Sequence, residues 1–243
     1  MYFSQIDMNS SSVRSDNARD TYWGRYACTY DDDTDYVVGR PLRRSIYKRL
    51  SRERKLGYTL ECGCGTGFYT RAISGQARRI MATDLSEEML EAAKKRLRDM
   101  SHVSFLKIDC ETHVFPPTSF ETVLMANILN TLSRPLKALR EAHRVLKYDG
   151  ALIAITYTDY NVDAFEKIEI GKRYFEKFGL PPSGGLINYS PKQMEALIKK
   201  AGFEIRNLDI LGDKAKAIYV LAVKTVVISD TSTILWPPYK RND

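Results

Sequence analysis

Between Thr59 and Gly67 the chain reads Thr-Leu-Glu-Cys-Gly-Cys-Gly-Thr-Gly. An apolar run that ends in an acid and then in alternating glycines predicts a buried strand turning sharply into a helix. Gly63, Gly65 and Gly67 strip Cβ atoms from that turn, so a ligand can lie against bare backbone N–H groups. Spacing separates the ligand classes. A phosphate-binding loop requires Gly-x-x-x-x-Gly-Lys followed by Ser or Thr, and neither the spacing nor the lysine is present. A dinucleotide fingerprint, G-x-G-x-x-G counted from Gly63 and Gly65, requires its third glycine at position 68, which is Phe68. The chain carries instead acid-x-Gly-x-Gly-x-Gly, supplied by Glu61, Gly63, Gly65 and Gly67.

The remaining pattern alternates strand and helix. Residues 68–74 read as a helix stopped near Gly75, and 80–84 as a short strand ending in Asp84. Ser86 is a good N-cap ahead of Glu87 and Glu88, with the helix running to about Asp99. Strands follow at 103–108 and 120–126. In the latter, Val123-Leu124-Met125-Ala126 is apolar throughout, as a strand buried on both faces must be. A helix at 135–146, a fifth strand at 150–157, a helix at 163–178 and a loop at 179–185 come next. Ser190-Pro191 opens a further helix that ends at Gly202. The strands at 203–210 and 217–223 are joined by a link too short for a crossover helix, and so pair as an antiparallel hairpin. The expected architecture is α/β: a doubly wound, seven-stranded, mostly parallel sheet with an antiparallel C-terminal hairpin. Residues 1–20 read as a flexible N-terminal arm, 21–224 as one domain, and 225–243 as a C-terminal tail.

Two further stretches stand out. Tyr22, Trp23, Tyr26 and Tyr30 have helical spacing and predict one sticky aromatic face. Residues 40–55 hold eight basic residues and one acid. Leu42, Ile46 and Leu50 recur every fourth residue, however, while Arg40, Arg44, Lys48 and Arg52 occupy another face. An amphipathic helix with a solvated basic side explains the run.

With the acid and three glycines at this spacing, the sequence resembles the class I S-adenosylmethionine-dependent methyltransferases from about Trp23 to Lys224. The family has a Rossmann-like fold of seven strands whose last pair is an antiparallel hairpin. The resemblance implies that Gly63, Cys64, Gly65 and Gly67 lie against the methionine part of S-adenosylmethionine, with Glu61 helping to hold its amine. It implies that Asp84, 19 residues after Gly65, accepts both ribose hydroxyls, with Leu85 and Met89 beside it. Asp109 is implied at the adenine amino group and the Cys110 backbone at the ring. Asn127, Ile128 and Asn130 are implied near the transferred methyl, and Tyr22, Tyr26 and Tyr30 as a cover over the cofactor. The family places Asn/Asp-Pro-Pro-Tyr or Phe after the fourth strand when it methylates DNA adenine or protein glutamine, and this chain has Ala-Asn-Ile-Leu-Asn there. Arg144 to Gly150 resembles the family's R-V-L-K-P-G-G, departing at Tyr148 and Asp149. The pattern is most similar to small-molecule enzymes of the methyltransferase type 11 kind, related to those of quinone biosynthesis and sterols.

The implied reaction is in-line displacement of the methyl from a sulfonium, leaving S-adenosylhomocysteine. Candidates for catalysis are few: His113 as a base, and Tyr157, which with Tyr160 and the insertion at about 158–189 is expected to line an acceptor-side lid. That insertion is basic and aromatic (Lys167, Lys172, Arg173, Tyr174, Phe175), which suits an anionic or lipid-like small-molecule acceptor. A net charge of +7 permits nucleic acid as a partner without favouring it. An RNA methyltransferase and a non-catalytic S-adenosylmethionine-binding module are the alternatives. Cys28, Cys62, Cys64 and Cys110 form no Cys-x-x-Cys pair, so neither structural zinc nor a disulfide framework is expected, and a reducing cytoplasm is. No apolar run approaches the roughly 20 residues that span a bilayer.

Overall fold

The computed structural model describes residues 22–112, 114–181 and 185–225. The arm at 1–20, His113 and the tail from 226 onward lie outside them. Seven strands form one sheet: β1 (Gly57–Cys62), β2 (Ala77–Asp84), β3 (Val103–Lys107), β4 (Phe120–Ala126), β5 (Leu146–Thr158), β6 (Phe203–Gly212) and β7 (Lys216–Lys224). Their order is β3-β2-β1-β4-β5-β7-β6. The first five pair in parallel, whereas β7 runs antiparallel to both β5 and β6. The order reverses between β1 and β4. In an open α/β sheet, the carboxyl ends of the strands flanking such a switch form a crevice.

The helices are α1 (Tyr30–Val38), α2 (Arg40–Leu50), α3 (Phe68–Ile73), α4 (Glu87–Arg96), α5 (Pro135–Val145), α6 (Ala164–Phe178) and α7 (Pro191–Lys200). The apolar run of β4 shows why the sheet is covered on both sides. Val123 and Met125 pack with Leu139 and Ala142 of α5 and Ile198 of α7. Leu124 and Ala126, one residue out of phase, pack with Ile46 of α2, Ile73 of α3 and Leu90 of α4. Side chains alternate across a strand, so a strand buried on both faces has no room for a polar phase. Cys62 and Cys64 likewise fall in opposite cores.

Three details differ from the sequence expectation. Residues 22–30 are not one helix: 22–24 are helical, 25–29 form turns, and α1 starts at Tyr30. The aromatic face still forms. Tyr22, Trp23, Tyr26 and Tyr30 pack with Tyr174 and Phe178 of α6, largely edge to face. β2 starts at Ala77, because Arg78 and Arg79 are exposed at its start and mask the strand pattern. β5 starts at Leu146, running through Asp149 at φ +60° and Gly150, where a Cβ would come within 2.8 Å of the Lys147 carbonyl oxygen.

Candidate active site

The glycine turn leaves the end of β1 at the switch point, and its glycines have different reasons to be glycine. All three have positive φ: +70° at Gly63, +54° at Gly65 and +77° at Gly67. A Cβ on Gly63 would meet Ile128 at 2.8 Å, and one on Gly67 would meet Leu97 at 2.9 Å and Ala93 at 3.2 Å. These two permit close packing. A Cβ on Gly65 would meet nothing within 4 Å, although Gly65 lines a cavity. Its bareness leaves space for a ligand.

The turn is also less rich in free donors than its sequence suggested. The Cys64 N–H donates to the Thr83 carbonyl at 2.8 Å and the Gly67 N–H to the Cys64 carbonyl at 2.9 Å. The Gly65 N–H donates to Asp84 Oδ2 at 2.8 Å. Asp84 Oδ1 accepts from the Ser86 N–H at 2.9 Å, and Ser86 Oγ caps α4 by accepting from Met89 N–H. Each Asp84 oxygen thus accepts a backbone N–H, which fixes the carboxylate at the mouth of the turn. The arrangement fits a neutral, hydroxyl-bearing group better than a phosphate.

Of the residues singled out in the sequence, Tyr30, Gly63, Cys64, Gly65, Asp84, Leu85, Met89, Asp109, Cys110, Asn127, Ile128 and Tyr157 line this one cavity. Asp109 Oδ1 accepts from the Glu111 N–H at 2.8 Å, which fixes the carboxylate at the end of β3. Asn127 holds φ +57° directly after β4, in a left-handed conformation that Asn tolerates. Tyr22 and Tyr26 do not line the cavity: their hydroxyls donate to the Phe178 carbonyl at 2.9 and 2.8 Å, tying the N-terminal turns to α6. Gly67 and Glu61 do not line it either. Glu61 is 1% exposed, and its Oε2 has no hydrogen-bond partner among the described residues. Burial, with a smaller push from Asp84, raises its carboxyl to about 8 against the opposing Thr70 hydroxyl. The Tyr157 phenol is driven well above its ordinary range, first by burial and then by Tyr69.

Trp23 of the aromatic face also lines the cavity, and several lining residues escaped the sequence reading: Asp31, Thr34, Arg43, Thr66 and Tyr69. Arg43 is 3% exposed and donates to Asp31 Oδ1 at 2.6 Å, to the Asp31 carbonyl at 2.7 Å and to Asp35 at 3.0 Å. Its guanidinium lies 4.0 Å from the Phe68 ring centroid. Asp31 also bonds Arg96 and accepts from the Thr66 hydroxyl at 3.0 Å. Burial opposes ionisation of Asp31, but Arg43 and Arg96 outweigh it and hold the carboxyl below its usual range. The signal was present: Arg43 shares the 43/46/50 face of α2 with Ile46 and Leu50.

A second cavity of about 370 Å³ adjoins the first. The two share Trp23, Tyr30, Thr34, Asn127, Thr131 and Tyr157. Among the described residues no cluster of His, Cys, Asp and Glu could hold a metal ion, and no helix is long and apolar enough to cross a membrane.

The residues present fit S-adenosylmethionine: a cradle at Gly65 that a Cβ would fill, carboxylates at the ends of β2 and β3, and a buried carboxyl oxygen without a partner under the turn. Known proteins agree. Residues 60–154 match the family described as "Methyltransferase domain". A malonyl-[acyl-carrier protein] O-methyltransferase of Paenibacillus sp. (strain JDR-2) is 28% identical over 183 residues, covering 70% of this chain and 64% of that protein. A demethylmenaquinone methyltransferase of Staphylococcus carnosus (strain TM300) is 26% identical, covering 74% and 72%. This chain therefore spans less than two thirds of the first relative's length. A crystal structure of a SAM-dependent methyltransferase from Aquifex aeolicus superposes with a TM-score of 0.62 at 22% identity, over 83% of this chain and 98% of that one. The matched stretch carries the glycine turn, Asp84, Asp109 and Asn127, and the family match together with these relatives supports a class I S-adenosylmethionine-dependent methyltransferase.

Proposed function

We propose that the protein transfers a methyl group from S-adenosylmethionine to a small-molecule acceptor by in-line displacement, leaving S-adenosylhomocysteine. One observation carries the reading: the cavity walled by Gly65, Asp84 and Asp109 opens through shared residues into a second, largely apolar cavity. Donor and acceptor thereby have adjoining places at the carboxyl ends of β1, β4 and β5. Asp84 accepts the ribose hydroxyls, Asp109 takes the adenine amino group, and the Cys110 backbone meets the ring. Leu85 and Met89 flank the adenosine, while Gly63, Cys64 and Gly65 lie along the methionine part, with Glu61 and Gly67 beneath. Bound there, S-adenosylmethionine supplies a methyl on a sulfonium that departs as a neutral thioether. The protein's task is alignment and exclusion of water, and holding two reactants in near-attack geometry contributes roughly 7–11 kcal/mol.

Tyr157 has no role as a base in this reading, because burial keeps its phenol protonated at neutral pH. His113 lies outside the described residues. α6, within the insertion at about 158–189, serves as the acceptor-side lid in this reading, and Tyr30 contributes to the cover over the donor. The relatives' names, which cite malonyl-acyl carrier protein and demethylmenaquinone, support a non-nucleic-acid acceptor. Within 40–55, three of the eight basic residues pair within the fold: Arg40 with Asp35, Arg43 with Asp31 and Asp35, and Arg49 with Glu53 and the Tyr219 ring. Four free thiols suit a reducing, cytoplasmic setting.

The test is incubation with methyl-labelled S-adenosylmethionine and a cell extract, resolved into small-molecule, lipid, RNA and protein fractions. Label in the small-molecule or lipid fraction is expected. Label confined to RNA moves the protein to the RNA-modifying alternative. Binding without transfer to any fraction makes it a regulatory module.

A further inference from the structure

The second cavity carries information about the acceptor. Its walls include Val37 of α1, Ile170, Tyr174 and Phe178 of α6, Ile187 and Ala215. Its charged lining is Asp159, Lys167 and Lys216. Lys167 faces Asp159 at 3.6 Å, and Lys216 spends its ammonium on the Asn161 carbonyl at 2.6 Å. The body of a ligand here meets hydrocarbon and aromatic rings.

The neck between the cavities is different. Thr34 and Asn127 line both cavities, and Thr34 Oγ1 and Asn127 Oδ1 are buried with no hydrogen-bond partner among the described residues. Thr34 is 6% exposed. Asn130 Oδ1, in the wall of the second cavity, is also buried without a partner. A buried polar atom left unpaired is costly, and three such atoms on residues that line the two adjoining cavities mark where a bound group can satisfy them. Two of the three are amide carbonyl oxygens, which only accept, so the group that satisfies them must donate. Asn127 stands in a left-handed conformation at the carboxyl end of β4. Backbone in this sparsely populated region clusters where a side chain must be aimed.

Resting on the methyl-transfer reading, we infer that the acceptor is an uncharged, apolar, ring-sized molecule whose methylated atom carries a hydrogen-bond-donating proton, a hydroxyl or amino group, held by Thr34 and Asn127 at the neck and by Asn130 in the second cavity. The carbonyl oxygens of the two asparagines accept that proton's hydrogen bond and orient a lone pair of the same atom toward the donor cavity. The lone pair forms the new bond to carbon as the carbon–sulfur bond breaks, and the proton, which an amide does not take up, leaves to solvent water. This narrows the expectation of an anionic or lipid-like acceptor to its apolar half.

The test uses the full chain, saturated with S-adenosylhomocysteine, and three bicyclic probes titrated calorimetrically: 2-naphthol, its methylated counterpart 2-methoxynaphthalene, and naphthalene-2-sulfonate. We expect 2-naphthol to bind about tenfold or more tighter than 2-methoxynaphthalene, a loss typical of an unpaired buried acceptor, and the sulfonate to bind weakest. Combining Thr34→Val with Asn127→Gly, which keeps the left-handed backbone, should erase the preference. Asn130→Ala should reduce it and provides the same readout if the double variant misfolds. Ile170→Trp, which fills only the second cavity, should abolish naphthol binding while leaving S-adenosylhomocysteine affinity unchanged. Equal binding of the naphthol and its methyl ether, tightest binding of the sulfonate, or naphthol binding unaffected by Ile170→Trp overturns the inference. Failure of S-adenosylhomocysteine to bind, with naphthol discrimination intact, overturns the donor reading and leaves the acceptor site standing.

Discussion

At the scale of single residues, Gly63, Gly65 and Gly67 separate packing from binding. Gly67→Ala forces a Cβ against Leu97 and Ala93 at positive φ, and should lower stability by about 2 kcal/mol in denaturant titration. Gly65→Ala meets no neighbour, so it should cost only the backbone strain, about 1 kcal/mol, yet weaken S-adenosylmethionine binding in calorimetry by filling the cradle. The sequence marked all three glycines but could not rank them, since the ranking depends on Ile128, Leu97 and Ala93 arriving from other elements. Glu61 gives a pH signature. Its folded value of about 8 lies above the unfolded carboxyl's 4.5, so between these values the folded state holds the extra proton. Its contribution is therefore full below pH 4.5 and is lost as pH rises through 8. Stability of the ligand-free protein should fall across that window with a slope of at most about 1.4 kcal/mol per pH unit from this group. Glu61→Gln should remove that component in pH-dependent urea melts. A slope identical in the two proteins contradicts the burial argument.

At the scale of elements, α1 and α2 are fastened over the glycine turn by Arg43, which joins Asp31 and Asp35, while Asp31 reaches Thr66 and Arg96. Removing one partner of a buried ion pair leaves an uncompensated charge. Arg43→Met should therefore destabilise by about 3 kcal/mol, with most of the loss returned when Asp31→Asn is added, a coupling that a double-mutant cycle measures. Equal losses in the single and double variants would show that Arg43 contributes packing alone. Strands and helices were legible wherever one period ruled, as in β4 and in α7 with its Ser190-Pro191 start. They were misread where charge interrupts the pattern, as at Arg78 and Arg79, and where turns imitate a helical spacing, as at 25–29. Arg43 went unread because its burial depends on acids from α1, one turn of chain away from its own helix.

At the scale of the whole molecule, the parallel sheet and its antiparallel edge follow from the strand–helix alternation and the closing hairpin, both readable in the sequence, whereas the strand order is seen in the structure. The order then fixes where donor and acceptor meet, because the reversal between β1 and β4 leaves one crevice at their carboxyl ends. The donor side was legible, since Gly65, Asp84 and Asp109 each stand at the end of a strand. The acceptor side was legible only in part: Asn130 and the insertion that holds Ile170 and Phe178 were marked, but Thr34 of α1 was not, and only the packing of α6 against α1 brings these three segments together.

The central claim is that S-adenosylmethionine binds in the glycine-turn cavity with Asp84 on its ribose. Isothermal titration of S-adenosylmethionine into the wild-type protein and Asp84→Asn, with melting curves confirming that both are folded, tests it most directly. The account predicts one site per chain and an affinity lower by about tenfold or more in the variant, as expected for a hydrogen bond to a charged group. No binding to the wild-type chain, or equal affinity in the two proteins, would contradict it.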